Sequence, residues 1–379
     1  MSGRTDLPIF TDIASVFLDD RPLMDLRAPV EFGQGAFPGA ENRPLLTDEE
    51  RHQVGIRYKE AGQDAAIALG YELVDAEAKA RRVAGWRAFA QAHPDGLLYC
   101  FRGGLRSRLT QRMLFEETGI VYPRIAGGYK AMRRFLLDTL ASQSVDAPLV
   151  MLGGRTGVGK TPFLFRFERH LDLEGRARHK GSAFGREPEP QPTPIDFENQ
   201  IAIDLLRLRH QAPDAPILVE DEGKMVGARQ VPAALFERMA RSPLVVIERP
   251  LDERVEQSLK DYIIDLEAGY RRVLATDSAG ASARVREHIL GAIDRVAKRL
   301  GGVRHAQVRG LAEEALDAWY GHDDLAGLRE LIRVMLVDYY DPMYDYQLAN
   351  KRDRVVFSGP PEAVAAELAD RGLQSRHPA

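Results

Sequence analysis

The stretch LLYCFRGGLRSRL, residues 97 to 109, holds the only cysteine of the chain. An apolar run delivers Cys100, and Phe101, Arg102, Gly103, Gly104, Leu105, Arg106 and Ser107 follow it. Paired glycines let a backbone curl until several N–H groups face one point. Leu105, Leu109 and Met113 recur every four residues, so a helix is expected to leave the loop and to add the positive end of its dipole. Arg102 and Arg106 add fixed positive charge. All three effects favour a thiolate and hold an oxyanion beside it. Cys100 is therefore the expected nucleophile, with Arg102, Gly103, Gly104 and Arg106 as its anion-binding loop. The commoner fate of a lone cysteine is burial as a small apolar residue. Such a residue has no need of two glycines and two arginines in the next six positions. The Cys-x5-Arg spacing also fits a cysteine phosphatase loop, so the pattern selects a chemistry, a thiolate facing an oxyanion, and not one reaction.

A second motif lies in PLVMLGGRTGVGKT, residues 148 to 161. Gly154 to Thr161 fit G-x-x-x-x-G-K-[ST], preceded by an apolar strand and followed by the helix-like TPFLFRFERHL. The expected diphosphate-binding set is Gly154, Gly157, Gly159, Lys160 and Thr161. Backbone N–H groups would surround a di- or triphosphate, Lys160 would neutralise it, and Thr161 would ligate Mg²⁺ if a metal is present. Asp221, after the strand-like PILVE, is the candidate metal-supporting acid; a strand-end turn acid is the plainer reading. The motif says polyphosphate and does not say ATP.

The elements that must position these loops alternate between strand and helix, which makes the fold class α/β. PLMDL (22–26) and Leu97 to Tyr99 read as strands, residues 75 to 93 as a polar helix, and GIVYPRIAGGYKAMRRFLL as strand, glycine turn and helix. A boundary is expected near LASQSVDAPLV (140–150), giving a first domain over 1–140 and a P-loop domain over 147–379. In the second, PILVED and PLVVIERP read as buried strands, 253–338 as mostly helical, and DRVVFSGPPEAVAAELADRG as strand, turn and helix. The proline-rich GREPEPQPTPIDFEN reads as a loop and not a helix.

Composition narrows the function classes. One cysteine excludes an internal disulfide and a cysteine-rich zinc site. No apolar run is long enough to cross a bilayer, and MSGRTDLPIF lacks a signal-peptide layout, so the expected compartment is the cytoplasm. The net charge of −4 does not advertise nucleic-acid binding, and any polyanion has to meet a local basic surface.

A thiolate loop ahead of a phosphate loop resembles the tRNA 2-selenouridine synthases, which join a rhodanese-like domain to a P-loop domain. The resemblance covers nearly the whole chain. It rests on DLRAPVEFGQGAFPGAENRPLL, VGIRYKEAGQDAAIALG, YCFRGGLRSR and GGYKAMR in the first part. In the second it rests on GGRTGVGKT, DLEGRARHKGSAFG, VEDEGKMVG, YYDPMYDYQ and RVVFSG. It implies a transferase that replaces the sulfur of a wobble 2-thiouridine with selenium from selenophosphate. It also implies S-geranylation from geranyl diphosphate, and Cys100 as the catalytic cysteine. No tightly bound cofactor is implied. The tRNA partner calls for basic surface, and Arg176, Arg178 and Lys180, with His179 and Arg186, are the candidates. Tyrosines of YYDPMYDYQ could stack on an extruded base, or simply pack. Two other readings stay open: a P-loop kinase or NTPase with a rhodanese-like regulatory domain, and a nonenzymatic persulfide carrier.

Overall fold

A computed structural model describes residues 6–275 and 277–376. Of the opening MSGRTDLPIF, residues 1–5 lie outside the described part. The chain forms two compact units. The first takes residues 1–142 and also 193–207; the second takes 143–192 and 208–379. The contiguous division expected from sequence therefore needs one correction, because 193–207 packs with the first unit. Polar contacts explain it. Asp196 accepts from Ala36 N at 2.7 Å, Asn199 Nδ2 donates to Ala36 O at 2.8 Å, and Arg207 Nε donates to Phe17 O at 2.9 Å.

The first unit is built on a five-stranded parallel sheet in the order Ile9–Phe10, Arg124–Ile125, Leu97–Tyr99, Leu23–Asp25, Glu41–Asn42. Leu97, Leu98 and Tyr99 are all fully buried, as an unbroken apolar run in a central parallel strand should be. The helix Asp48–Leu73 was not anticipated. Its start was legible as Thr47-x-x-Glu50. Thr47 caps the Glu50 N–H, and Glu50 Oε2 accepts from Thr47 N at 2.8 Å. It bends at Gly62, whose φ of +80° is left-handed. The polar helix expected over 75–93 is Ala76–Ala92.

The second unit carries a parallel sheet in the order Val355–Gly359, Leu244–Ile247, Leu149–Gly154, Ile217–Glu220, His170–Leu171. The strand that feeds the phosphate loop is central, and all six of its residues are buried. Ligands of such sheets collect beyond the carboxyl ends of the strands, where the order reverses. A helical part from Leu251 onward has its own core around Val255, Leu259, Ile289, Leu316 and Met335. Two of its turns are π-helical, Lys260–Ile264 and Leu336–Tyr340. The proline-rich segment is a loop only as far as Thr193; a helix runs from Pro194 to Gln211, started by the Thr193 hydroxyl accepting from Asp196 N. Among the described residues no helix is long and apolar enough to cross a membrane.

Candidate functional site

In the first unit the strand Leu97–Tyr99 ends at Cys100 and the helix Leu105–Thr118 leaves the loop. Gly103 has φ +62°, and a Cβ there would stand 2.7 Å from both Gly127 N and Ile125 O. A Cβ on Gly128, φ +57°, would run into Cys100 O and Gly103 N. The second glycine pair thus folds directly over the first. Tyr129 N and Lys130 N donate to the carbonyls of Cys100 and Phe101, each at 2.9 Å. The N–H groups of Arg102, Gly103 and Gly104 donate to nothing among the described residues, which leaves them available to an anion. Below the loop, Asp25 and Arg27 are buried as a pair. Arg27 Nη2 donates to Asp25 Oδ2 at 2.6 Å, and Tyr99 OH to the same oxygen at 2.7 Å. The Arg27 guanidinium lies 3.7 Å from the centre of the Tyr129 ring.

The thiol is only 3% exposed, beside Met24, Leu98 and Leu114, with Ser107 Oγ 3.3 Å from the sulfur. The two arginines expected to face it behave differently. Arg106 donates to both oxygens of Glu31, at 2.6 and 3.1 Å, yet its charge still acts on Cys100. Burial alone would raise the Glu31 carboxyl. Arg106, the Ala28 N–H and Arg51 outweigh it and hold Glu31 below its usual range. Arg102 is exposed, 5.9 Å from the Phe101 ring, and belongs to the surface. Sequence reasoning missed Arg124, which donates to Gly103 O at 3.0 Å and acts electrostatically on Cys100. Burial and the neighbouring Arg108 lower its pKa. Its signal was its place at the strand end in YPRIAGG, one turn from the glycine pair.

In the second unit Gly154, Gly157 and Gly159 have φ of +152°, +84° and +78°. A Cβ on Gly157 would stand 2.5 Å from Arg254 O and Ser258 Oγ. The N–H groups of Thr156, Gly157, Gly159 and Lys160 donate to nothing among the described residues. Lys160 Nζ donates to Gly154 O at 3.3 Å. Arg254, 3% exposed, braces the loop: Nε donates to Thr156 O at 2.9 Å, and the guanidinium pairs with Asp341. Gly154, Thr156 and Lys160 open onto a cavity of about 760 Å³, whose other walls include Met225, Phe236, Met239, Tyr344 and Leu348.

The acid at the strand end is not the one expected. Asp221 pairs with Lys351 Nζ at 2.6 Å and Arg354 at 3.4 Å. Glu220, one residue earlier and on the other face of the strand, accepts from Thr161 Oγ1 at 2.8 Å. Glu174 Oε2 is 3.3 Å from the same hydroxyl. Burial, then Glu174 and Glu222, push the Glu220 carboxyl well up. Burial and Glu174 push Glu222 up to about 8. Glu220 is fully buried, and its Oε2 has no partner among the described residues. As the side chains stand, no three His, Cys, Asp or Glu among the described residues converge on a metal position. Thr161 and the orphaned Glu220 oxygen suit Mg²⁺, which takes one or two protein ligands and fills the rest with water and phosphate.

Of the basic candidates for tRNA, Arg176 and Arg178 are exposed. Lys180 is not a free cation: its Nζ donates to Asp261 O at 2.6 Å and lies 5.5 Å from the centre of the Tyr262 ring. Tyr339 and Tyr340 are packed into the helical core and also line the cavity, whereas Tyr346 is 72% exposed.

The family model described as the tRNA 2-selenouridine synthase AAA domain matches residues 147–375. A tRNA 2-selenouridine synthase from Marinobacter nauticus is 48% identical over 96% of this chain and 97% of its own length. Its namesakes from Pseudomonas fluorescens and Pseudomonas aeruginosa are 49% and 46% identical, over 96% and 94% of this chain and 98% and 96% of their own lengths. Among solved structures, the N-terminal domain of a Clostridium difficile 630 protein described as ATP/GTP binding is 29% identical. It covers 34% of this chain and 98% of its own, with a TM-score of 0.31. With a curled cysteine loop in one unit, a phosphate loop in the other, and this identity along nearly the whole length, the chain belongs to the tRNA 2-selenouridine synthase family.

Proposed function

We propose that this chain replaces the sulfur of a wobble 2-thiouridine in tRNA with selenium from selenophosphate, through an S-geranyl intermediate made from geranyl diphosphate. The family supports the overall reaction. The observation that carries the intermediate is the mixed cavity of the second unit. Free loop amides and Lys160 stand at one part of it, and Met225, Phe236, Met239 and Leu348 at another. A hydrocarbon diphosphate needs both surfaces at once.

In the first step the thiouridine sulfur attacks C1 of geranyl diphosphate; the C–S bond forms, the C–O bond breaks and diphosphate leaves. Loop amides and Lys160 stabilise the charge that gathers on the leaving group. Mg²⁺ bound by Thr161 and Glu220 would supply further positive charge there. Alkylation turns the sulfur into a leaving group. In the second step the selenium of selenophosphate adds at C2, the C2–S bond breaks and geranylthiolate departs; water then cleaves the Se–P bond, releasing phosphate and leaving the 2-selenouridine. The rhodanese-like first unit serves this step, with Cys100 as its catalytic cysteine and the free amides of Arg102, Gly103 and Gly104 receiving the selenophosphate oxyanion. Arg176 and Arg178 contact tRNA, and the reaction takes place in the cytoplasm.

Nucleoside mass spectrometry after incubation with thiolated tRNA, geranyl diphosphate and selenophosphate tests the scheme. Lys160→Ala should lose geranylation; Cys100→Ala should geranylate and fail to selenate. Loss of both products in Cys100→Ala refutes the division of labour. A second reading, nucleotide hydrolysis, is favoured by another chamber of about 520 Å³ on the phosphate loop, beside Arg155, Glu248 and Arg249, roomy enough for a nucleoside. Hydrolysis of ATP or GTP without tRNA at a useful rate would select it.

A further inference from the structure

The first unit has an apolar groove that the scheme above does not use. It lies between the bent helix Asp48–Leu73 and the helices Ala76–Ala92 and Leu105–Thr118. Leu46, Ala66, Ile67, Trp86, Leu109 and Met113 line it. Tyr58 and Tyr71, each 57% exposed, stand at its rim. Leu46, Ala66 and Trp86 form its buried floor, and a concave apolar site of this kind suits a small hydrocarbon ligand.

Continuity and size choose the occupant. The groove ends on Leu105 and Arg106, the first helical turn after the cysteine loop. Whatever lies in it reaches the neighbourhood of Cys100. Its volume is about 140 Å³. A cavity of about 150 Å³ lined by Leu, Ile and Phe takes a single benzene. That is room for about one isoprene unit, with the rest of a geranyl chain lying along the open rim at Tyr58 and Tyr71, and far too little for a helix or a second copy of this chain. The bend at Gly62 brings both halves of the long helix, through Tyr58 on one side and Ala66 and Ile67 on the other, to the same groove.

We propose that this groove holds the geranyl chain of S-geranylated tRNA while the base is presented to the cysteine loop. The inference rests on the S-geranyl intermediate proposed above. The chain that enters as a diphosphate ester in the second unit then has a second apolar seat, used only in selenation. Arg106, fixed by Glu31 at the groove's edge, marks where hydrocarbon ends and the anion site begins. Seating the tail there orients C2 and its sulfur toward the loop, so the groove selects the geranylated base over the bare thiolated one.

The test uses full-length protein and two substrates, S-geranyl-2-thiouridine tRNA and S-methyl-2-thiouridine tRNA, with selenophosphate. Ala66→Phe fills the groove; Tyr58→Ser with Tyr71→Ser strips its exposed rim with little risk to folding. Both variants should geranylate thiolated tRNA at the wild-type rate and accumulate the geranylated product. Their KM for S-geranyl tRNA should rise about tenfold or more, and KM for the S-methyl substrate should not move. If wild type converts S-geranyl tRNA and both variants do so with unchanged KM, the groove assignment is overturned. If wild type itself cannot convert S-geranyl tRNA, the S-geranyl reading falls and the inference with it.

Discussion

Asp341 gives the sharpest test of how the phosphate loop is held. Arg254 is 3% exposed and sits behind the loop, with its Nε on Thr156 O at 2.9 Å and Nη1 on Asp341 Oδ2 at 2.9 Å. The Asp341 side chain is itself 17% exposed, so both members of the pair are largely out of water. Removing one member of a buried pair leaves an uncompensated charge, which costs about 3–5 kcal/mol. Asp341→Ala should therefore lower the unfolding free energy by roughly that amount. In a domain of this size each kcal/mol moves Tm by about 2–4 °C, so the shift should be roughly 6–20 °C. Replacing both partners by apolar residues of similar volume, Arg254→Met with Asp341→Leu, should restore most of the stability, because no buried charge remains. It should not restore diphosphate binding, because Thr156 O and the close approach of Gly157 to the Arg254 backbone lose their brace. Urea unfolding read alongside the KM for geranyl diphosphate separates the two effects. An Asp341→Ala chain within about 1 kcal/mol of wild type would refute the reasoning, since a solvent-screened pair is worth about that little.

Other perturbations report on other parts of the molecule. Glu222 is pushed up to about 8, so the folded state binds a proton that the unfolded state has already lost between pH 5 and 8. Stability measured without divalent cations should fall as pH rises through that window. Glu222→Gln should flatten the slope, and Mg²⁺ should bind more tightly as pH rises; a urea midpoint constant from pH 5 to 9 would contradict this. Glu31→Gln removes the negative charge that partners Arg106 beside Cys100, so the rate of alkylation of the lone thiol at neutral pH should rise with geranylation untouched. Gly128→Ala has no room for its Cβ against Cys100 O and Gly103 N. It should cost more than about 1–3 kcal/mol in urea unfolding and abolish selenation before geranylation.

What the sequence carried and what it hid follow from one distinction. Local chain rules were readable: two glycine loops, apolar strands ahead of them, and helices behind. LLY and PLVMLGG became buried parallel strands, because an unbroken apolar run can only sit between two covered faces, and PLMDL joined them with its Asp25 answered by Arg27. The helix after Thr47 was equally local, a Thr-x-x-Glu box that went unused as a signal. What was not readable is which charge answers which. Arg106 carries the expected charge in the expected place, yet Glu31, 75 residues away, takes both its Nη groups. Arg124 replaces Arg102 beside the thiol because the strand Arg124–Ile125 lies next to Leu97–Tyr99, a neighbour relation set by sheet order. The strand-end acid shows the same logic at a spacing of one residue. Alternation sends Glu220 toward Thr161 and Asp221 toward Lys351, 130 positions further along. A motif thus names the backbone that binds an anion, while the side chains that tune it are assigned by the sheet. The thiol tests this view: if Arg124→Gln weakens selenation more than Arg102→Gln, tuning follows sheet order, and if Arg102→Gln is the more damaging, it follows the motif.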